Sequence, residues 1–185
     1  MKFNIIPGLI LLSFLTSCFG SKDFVVESDY SYYGKFKNYT TYTFLDQQHF
    51  DMDTLIPDNL IRKAINHRMS LLGYKQDDKK PSLLIGYKIF FSDFNFKGWN
   101  QPELEEWLKK QGFIKEDFDR ISYKLKEGTL MILMVDRKQR KAVWQGYNSG
   151  LIDTNVLNNE RFVRGTVRTI FDEYKVFAHG FIKES

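Results

Sequence analysis

The sequence is poor in the residues that build disulfide frameworks and zinc sites. It has one cysteine, Cys18, in 185 residues, and a disulfide needs a pair, so none can form within this chain. Its three histidines, His49, His67 and His179, have no paired spacing. The longest mainly apolar run, residues 3–15, is short, because a membrane-spanning helix needs about 20 apolar residues. The sequence therefore predicts neither a disulfide scaffold nor a spanning helix.

Local motifs of several enzyme classes are also missing. No G-x-S-x-G elbow, G-x-x-x-x-G-K-[ST] phosphate loop or G-x-G-x-x-G fingerprint occurs. The densest group of potential metal ligands is residues 46–53, but it lacks the glycine and the distal glutamate of a calcium loop. We therefore predict no metal and no cofactor, and favour a binding protein over an enzyme. Carboxylate pairs formed by distant residues stay open as a catalytic alternative.

The charge balance argues against a nucleic-acid partner. The formal net charge is +4, and acidic residues are interspersed with basic ones. The local basic run, residues 137–141, has the pattern of a solvated hairpin tip. Apolar residues make up 43% and charged residues 27%, which favours a folded globular chain over disorder.

The N-terminus has the pattern of a secretory leader that ends at the cysteine. Lys2 supplies a positive start, residues 3–15 supply a short apolar segment, and Leu15, Thr16 and Ser17 precede Cys18. This stretch resembles the lipobox of bacterial lipoproteins. The resemblance implies that signal peptidase recognises Leu15, Thr16 and Ser17, cuts off residues 1–17 and leaves lipid on Cys18. The alternative is an ordinary secretory signal with a chance cysteine near the cut.

A lipidated Cys18 would hold the chain at a membrane. Each buried methylene contributes about 0.8 kcal/mol, so two or three acyl chains anchor stably without any spanning segment. Residues 18–22 would then be the lipidated cysteine and its tether. Phe19 stands where an aspartate favours retention in the inner membrane, so the resemblance implies an outer-membrane location with the domain facing the periplasm.

Hydrophobic periodicity predicts an α+β fold over residues 23–185, as a single domain. Strands are expected over residues 23–33, 38–44 and 82–92, and three more between residues 121 and 148, the last two joined by a hairpin turn over residues 136–141. Helices are expected over residues 57–72 and 158–174, with Asn158 as the N-cap of the second. Residues 93–101 have a loop pattern, and residues 102–111 predict a short inserted helix. The expected architecture is an antiparallel sheet with the two main helices packed on one face.

Several short stretches carry a family resemblance. Residues 127–136 (EGTLMILMVD) and 142–146 (AVWQG) are the clearest, and residues 39–44 (YTTYTF), 71–74 (LLGY) and 170–174 (IFDEY) also match. Together they resemble DUF4136, a domain family of unknown function found in bacterial lipoproteins. The resemblance implies a compact envelope lipoprotein domain and brings no catalytic residues. The insertion around residues 93–119 and Lys175, where a proline is common, depart from the pattern.

Two groups of residues are candidates for an interaction face. Arg161, Arg164 and Arg168 share one side of the last predicted helix and would suit anionic lipid headgroups or an acidic partner, although a solvated helix face has the same pattern. Trp99 and Trp107 would form an exposed aromatic patch or cap the core.

The leading functional hypothesis is a non-enzymatic envelope lipoprotein that binds an envelope protein or component. The alternatives are a periplasmic hydrolase acting on envelope glycan or lipid, and a carrier of a hydrophobic ligand. A hydrolase would need a pocket that gathers ionisable residues, and a carrier would need an apolar cavity between sheet and helices.

Overall fold

The computed structural model describes residues 25–31, 33–45, 58–99, 120–150 and 156–181, without the side chains of residues 96–99, 120 and 121. Eight strands and two helices lie in these ranges. The strands are β1 (Val25–Tyr30), β2 (Thr41–Phe44), β3 (Lys75–Gln76), β4 (Leu83–Phe90), β5 (Phe94–Trp99), β6 (Arg120–Leu125), β7 (Thr129–Asp136) and β8 (Lys141–Ser149); the helices are α1 (Asp58–Leu71) and α2 (Glu160–Asp172). Two 3-10 turns, Phe36–Asn38 and Ala178–Gly180, pack near each other. Neither helix has the length and apolar character that crossing a membrane requires.

Six strands form the main sheet in the order β1-β8-β7-β4-β2-β3. The prediction of a purely antiparallel sheet is wrong, because β2 pairs in parallel with both β3 and β4. The cause is the position of α1 between β2 and β4. A helical crossover returns the chain to the end from which it started, and this produces a parallel pair. The remaining pairs of the main sheet are antiparallel.

Both helices pack on one face of the sheet, which we call the inner face. Its central strand, β7, turns Leu130, Ile132 and Met134 toward the helices, and all three are buried. The neighbouring residues on the opposite, outer face are half-buried. Each helix buries an apolar stripe at the expected spacing: Ile61, Ala64, Ile65 and Met69 in α1, and Val163, Val167, Ile170 and Phe171 in α2. The alternation in the strands and the stripes in the helices were both predicted.

The N-cap of α2 is Asn159, one residue after the predicted Asn158. Asn159 has extended backbone (φ −88°, ψ 102°), and its side chain accepts a hydrogen bond from the backbone N–H of Phe162 at 3.2 Å. Adjacent asparagines are equally good caps by residue type, so only the backbone geometry distinguishes them.

Strands β5 and β6 form a separate antiparallel ribbon, so the prediction of a loop is wrong over residues 94–99, while residues 100 and 101 lie outside the described ranges. The ribbon continues the β4–β7 pair, since Phe90 pairs with Thr129 and Phe94 pairs with Leu125. At the junction Gly128 has φ +74°, a conformation that suits glycine, and its N–H donates to the carbonyl of Phe90 at 2.8 Å. The Phe90 and Phe94 rings stack at 3.9 Å between centroids. The ribbon is thus a bent extension of the central hairpin.

The start of β1 and the starts of both helices lie at the end of the sheet from which this ribbon leaves, which we call the ribbon end. Val25 pairs with Ser149, whose hydroxyl accepts from the backbone N–H of Lys126 beside the junction. Helix α1 leads into β3, which pairs with the first residues of β2 at the opposite end, so α1 begins at the ribbon end. Two ion pairs, Lys63 with Glu160 and Arg68 with Asp172, align α2 in the same direction.

Candidate functional site

The three arginines singled out in the sequence lie on the exposed side of α2. Arg161, Arg164 and Arg168 are all exposed, and the stripe opposite them is buried in the core. Arg168 approaches Asp172 at 3.6 Å, but 71% of its side chain is exposed. A surface ion pair of this kind contributes about 0–1 kcal/mol, so the pair between Arg168 and Asp172 adds little to the stability of the fold.

Two of these arginines lack an ion pair among the residues described. Arg161 and Arg164 have no carboxylate within 4.0 Å in that part of the chain. Glu160 bonds to Lys63, whose hydrogen bond and charge lower its pKa, with a smaller contribution from Arg164. The exposed face of α2 therefore presents positive charge that the described fold does not neutralise.

A second group of charged side chains lies on the outer face, on edge strand β1. Glu27 and Asp29 point to this face because they pair with Tyr147 and Gln145 of β8. The Tyr147 hydroxyl donates to Glu27 Oε2 at 2.5 Å, and the Gln145 amide donates to Asp29 Oδ2 at 3.4 Å. Tyr123 of the ribbon lies over Tyr147, with 6.3 Å between ring centroids. We call Glu27, Asp29, Tyr123, Gln145 and Tyr147 the outer-face cluster.

Burial shifts the ionisation of this cluster. Desolvation raises the pKa of Asp29 to about 6, while the hydrogen bonds from Tyr30 and Gln145 only partly oppose it. Burial and the neighbouring Glu27 carboxylate raise the pKa of Tyr147, and burial raises that of Tyr123. Neither Glu27 nor Asp29 has a cationic partner among the described residues. The strands therefore hold two carboxylates near each other, and the described part of the chain supplies no cation to compensate them.

Sequence reasoning missed this cluster, and the reason is register. Residues two apart in a strand share a face, so Glu27 and Asp29 could be grouped from the sequence. What the sequence does not show is that β1 pairs with β8, more than a hundred residues away, and that this pairing places Tyr147 and Gln145 beside them.

Aromatic side chains fill the space between the inner face and α2. Trp144 is 1% exposed and packs edge-on against Tyr174, with centroids 5.0 Å apart. The hydroxyls of Tyr74 and Tyr174 bond to each other at 2.8 Å, and Tyr30 stacks on Tyr174 at 5.9 Å. Burial raises the pKa of Tyr74 to about 12. This part of the core is packed with side chains, and the hypothesis of a hydrophobic-ligand carrier gains no support from it.

The other candidate residues have different outcomes. Trp99 is the last residue of β5, opposite Arg120, and so belongs to a strand instead of a loop. Trp107 and the lipobox residues Leu15, Thr16, Ser17 and Cys18 lie outside the described residues, as does the predicted helix over residues 102–111. Within the described ranges, no three His, Cys, Asp or Glu side chains come together as a metal site would need.

A family model described as a domain of unknown function (DUF4136) matches residues 26–174. The chain belongs to the DUF4136 family. The match runs from the second residue of β1 to Tyr174, two residues after the end of α2, and so includes the outer-face cluster and the arginines of α2. It confirms the resemblance seen in the sequence. No curated protein matches this DUF4136 chain.

Two solved structures are similar over most of this DUF4136 chain. A PDZ domain protein from Parabacteroides distasonis is 16% identical over 85% of the chain, with a TM-score of 0.45, and the chain spans 37% of that protein's length. A PelC dodecamer from Paraburkholderia phytofirmans is 6% identical over 81% of this chain and 95% of its own, also with a TM-score of 0.45. Likeness at this level says nothing about a ligand or a partner.

Proposed function

We propose that this chain is a lipid-anchored envelope protein of the outer membrane, facing the periplasm, whose domain is a non-enzymatic binding or accessory module. The lipobox resemblance of residues 15–18 supplies the anchor, which is lipid on Cys18. The exposed arginines of α2 and the half-buried carboxylates of β1 supply the surfaces for an envelope protein partner.

The position of β1 is the observation that carries this proposal. Its first residue, Val25, stands seven positions after Cys18, and an extended chain spans at most about 3.5 Å per residue. Val25 would therefore lie within about 25 Å of the lipidated sulfur. The ribbon end of the sheet would face the membrane, and the strands would run away from it.

The anchor is tested by the intact mass of the protein extracted from membranes. We expect the mature wild-type chain to begin at residue 18 and to be heavier than its sequence by a diacylglyceryl group and one further acyl chain. Cys18→Ser should remove this added mass and leave the precursor uncut. Ser17→Ala keeps a small residue before the cut and should be processed like wild type, so it controls for changes near the cleavage site. A mature wild-type chain with a free thiol in the aqueous fraction would contradict the proposal.

The binding role is tested by crosslinking in whole cells followed by capture from membranes. We expect the wild-type chain to bring down a defined partner or further copies of itself. The same capture with Glu27→Lys/Asp29→Lys should lose whatever the outer-face cluster holds. Recovery of only the bulk lipoproteins, at equal yield from both variants, would count against a binding role.

One observation favours the hydrolase alternative enough to keep it. Burial raises the pKa of Asp29 to about 6, toward the range of a general acid at neutral pH, and the Glu27 carboxyl stands two residues away on the same face. A glycosidase needs such a pair. Incubation of the purified protein with peptidoglycan fragments and with phospholipid vesicles tests this, with Asp29→Asn as the inactive control. Absence of turnover by wild type would dismiss the alternative.

A further inference from the structure

Two groups of charged side chains have opposite signs and lie on opposite sides of the molecule. Within the described ranges Arg161 and Arg164 have no ion pair, Arg168 has only an exposed one to Asp172, and Glu27 and Asp29 have no cationic partner. The arginines lie on the solvent side of α2, which covers the inner face, and Glu27 and Asp29 lie on the outer face. Within one copy the arginines cannot contact Glu27 and Asp29, because the sheet lies between them. In a second copy, the arginines of α2 are available to contact the carboxylates of the first.

We propose that copies of this protein stack head to tail, with the exposed face of α2 of one copy on the outer face of the next. The outer-face cluster would receive the arginines, and the half-buried aliphatic side chains of β7 beside it, Met131, Leu133 and Val135, would be covered in the same contact.

The spacing of the charges fits such a contact. Glu27 and Asp29 are two residues apart on one strand, and so about 7 Å apart along it. Arg164 and Arg168 are four residues apart on a helix, and so about 6 Å apart along its axis. Two carboxylates can therefore face two guanidinium groups in one register.

Gly165 shows that α2 leaves room for a neighbour between these arginines. A side chain at this position would meet no atom within 4 Å, so nothing in the described fold requires a glycine. Glycine in the middle of a helix is unfavourable relative to alanine. Its advantage is that another chain can approach the helix backbone closely, and the flanking Arg164 and Arg168 would then reach around that contact.

A contact between two like faces is disfavoured by charge. Two outer faces would bring four carboxylates together, and two α2 faces would bring six arginines together, and like charges at an interface are repulsive. A contact between different faces repeats from copy to copy, and so gives a ring or an open row rather than a two-fold dimer.

The direction of stacking agrees with anchoring, and this part of the inference rests on the proposed function. If the ribbon end faces the membrane, the sheet faces point sideways, parallel to the bilayer. Neighbouring lipid-anchored copies could then stack side by side without either leaving the membrane.

The contact is tested by reversing the charge on one face in each of two variants and then mixing the two variants. This test does not depend on the register of the contact. The detergent-extracted mature protein is studied by sedimentation velocity at low salt, with circular dichroism to confirm that each variant is folded. We expect wild type to form species larger than a dimer, and Glu27→Lys/Asp29→Lys or Arg164→Glu/Arg168→Glu to associate at least about tenfold more weakly. An equal mixture of the two variants should restore association, because one then has two basic faces and the other two acidic faces. A monomeric wild type, or a mixture that stays dissociated, would overturn the proposal.

Disulfide trapping in cell membranes tests the order of the faces. Glu27→Cys/Arg164→Cys should give a ladder of oligomers on oxidation, because the two positions lie on opposite sides of one copy. Arg164→Cys alone should give no covalent dimer, and an efficient dimer from it would overturn the head-to-tail arrangement.

If Arg164→Glu/Arg168→Glu instead releases the protein from anionic vesicles and leaves its oligomeric size unchanged, the exposed face of α2 binds lipid and the proposal is wrong. If a soluble protein with an unmodified Cys18 forms the ladder, the proposed lipid anchor is wrong and the head-to-tail contact is supported. If the protein is lipidated but forms no ladder, the anchor is supported and the head-to-tail contact is wrong.

Discussion

The two faces of the main sheet differ in what their side chains contact. On the inner face, Trp144 and Tyr174 pack ring against ring, and the nearby aliphatic side chains are 0–4% exposed. On the outer face, the aliphatic side chains of β7 are half-buried, and Glu27 and Asp29 have no cationic partner among the described residues. The same strands form both faces, and successive residues of each strand point to opposite faces. The two faces therefore differ only in the residue types at alternate positions. The inner face supplies most of the buried apolar contacts of the described fold, and the outer face carries the carboxylates for which we propose a partner.

The largest contrast is expected from the same substitution on the two faces of β7. Leu130→Ala removes a side chain that is 1% exposed in the inner core, and such truncations cost about 3 kcal/mol of unfolding free energy. Leu133→Ala removes an equal side chain from the outer face, where partial exposure reduces the cost to about 1 kcal/mol. Urea denaturation of the purified protein, followed by circular dichroism, measures both. Equal losses would mean that the outer face is as well covered as the inner one.

A glycine on the inner face gives the second contrast. The indole of Trp144 lies over Gly146, and a Cβ at that position would stand 2.6 Å from two of its ring atoms and 2.8 Å from Ile170 Cγ2. We expect Gly146→Ala to destabilise the fold by about 2 kcal/mol through overpacking. The double variant Gly146→Ala/Trp144→Phe tests the cause, because the smaller ring should relieve part of the clash. Additive losses in this pair would show that the clash lies elsewhere.

Carboxylates give the third contrast, and it depends on pH. Burial raises the pKa of Asp136, but the hydrogen bonds from Gln139, Tyr39 and Lys138 outweigh it and lower the pKa overall. A pKa that is lower in the folded state stabilises the fold at pH values above 3.8, the pKa of the unfolded state. This stabilisation is lost as the pH falls through the pKa of the folded state. Asp136→Asn should therefore cost about 1.5 kcal/mol at pH 7 and less at pH 3. A cost that is the same at both pH values would contradict this assignment.

Asp29 should show the opposite sign. Its folded pKa of about 6 exceeds the unfolded value of 3.8, so the folded state binds the proton more tightly and loses stability as the pH rises between these values. The full shift corresponds to about 3 kcal/mol. Because the carboxyl keeps part of its hydration, we expect Asp29→Asn to stabilise the fold by about 1 kcal/mol at pH 8 and not at all at pH 3.5. Denaturation at the two pH values measures this, and destabilisation at pH 8 would contradict it.

Local patterns were enough to predict much of the inner face from the sequence. The apolar spacing of α1 and α2 and the alternation in β4 and β7 each depend on neighbours in the chain. The hairpin turn over residues 136–141 was also predicted, since β7 ends at Asp136 and β8 begins at Lys141. The family resemblance rested on these same stretches and is confirmed.

The features that the sequence did not reveal depend on contacts between distant residues. The parallel pairing of β2 and β4 depends on where α1 returns the chain, and no residue type encodes this return. Strand β5 contains Asn95 and Gly98, which are turn formers, and it becomes a strand because β6 provides its hydrogen-bonding partner. Glu27 and Asp29 look like ordinary solvated residues until the β1–β8 register is known. The sequence therefore indicated which residues are buried, and the candidate site required the strand pairing.

The smallest expected effect concerns the glycine that no packing explains. Gly165 lies at the middle of α2 with no atom within 4 Å of where a Cβ would be, in contrast to Gly146 on the inner face. Gly165→Ala should therefore stabilise the folded chain by up to about 1 kcal/mol, because alanine restricts the unfolded chain more and favours helix. Gly165→Ser is a matched control, since it also adds a Cβ but has a lower helix propensity, and its gain should be smaller. Destabilisation by both would show that part of the chain outside the described residues packs against this position. A gain in stability would mean that this glycine has no role within the single fold, as expected if its role lies in the proposed contact between copies.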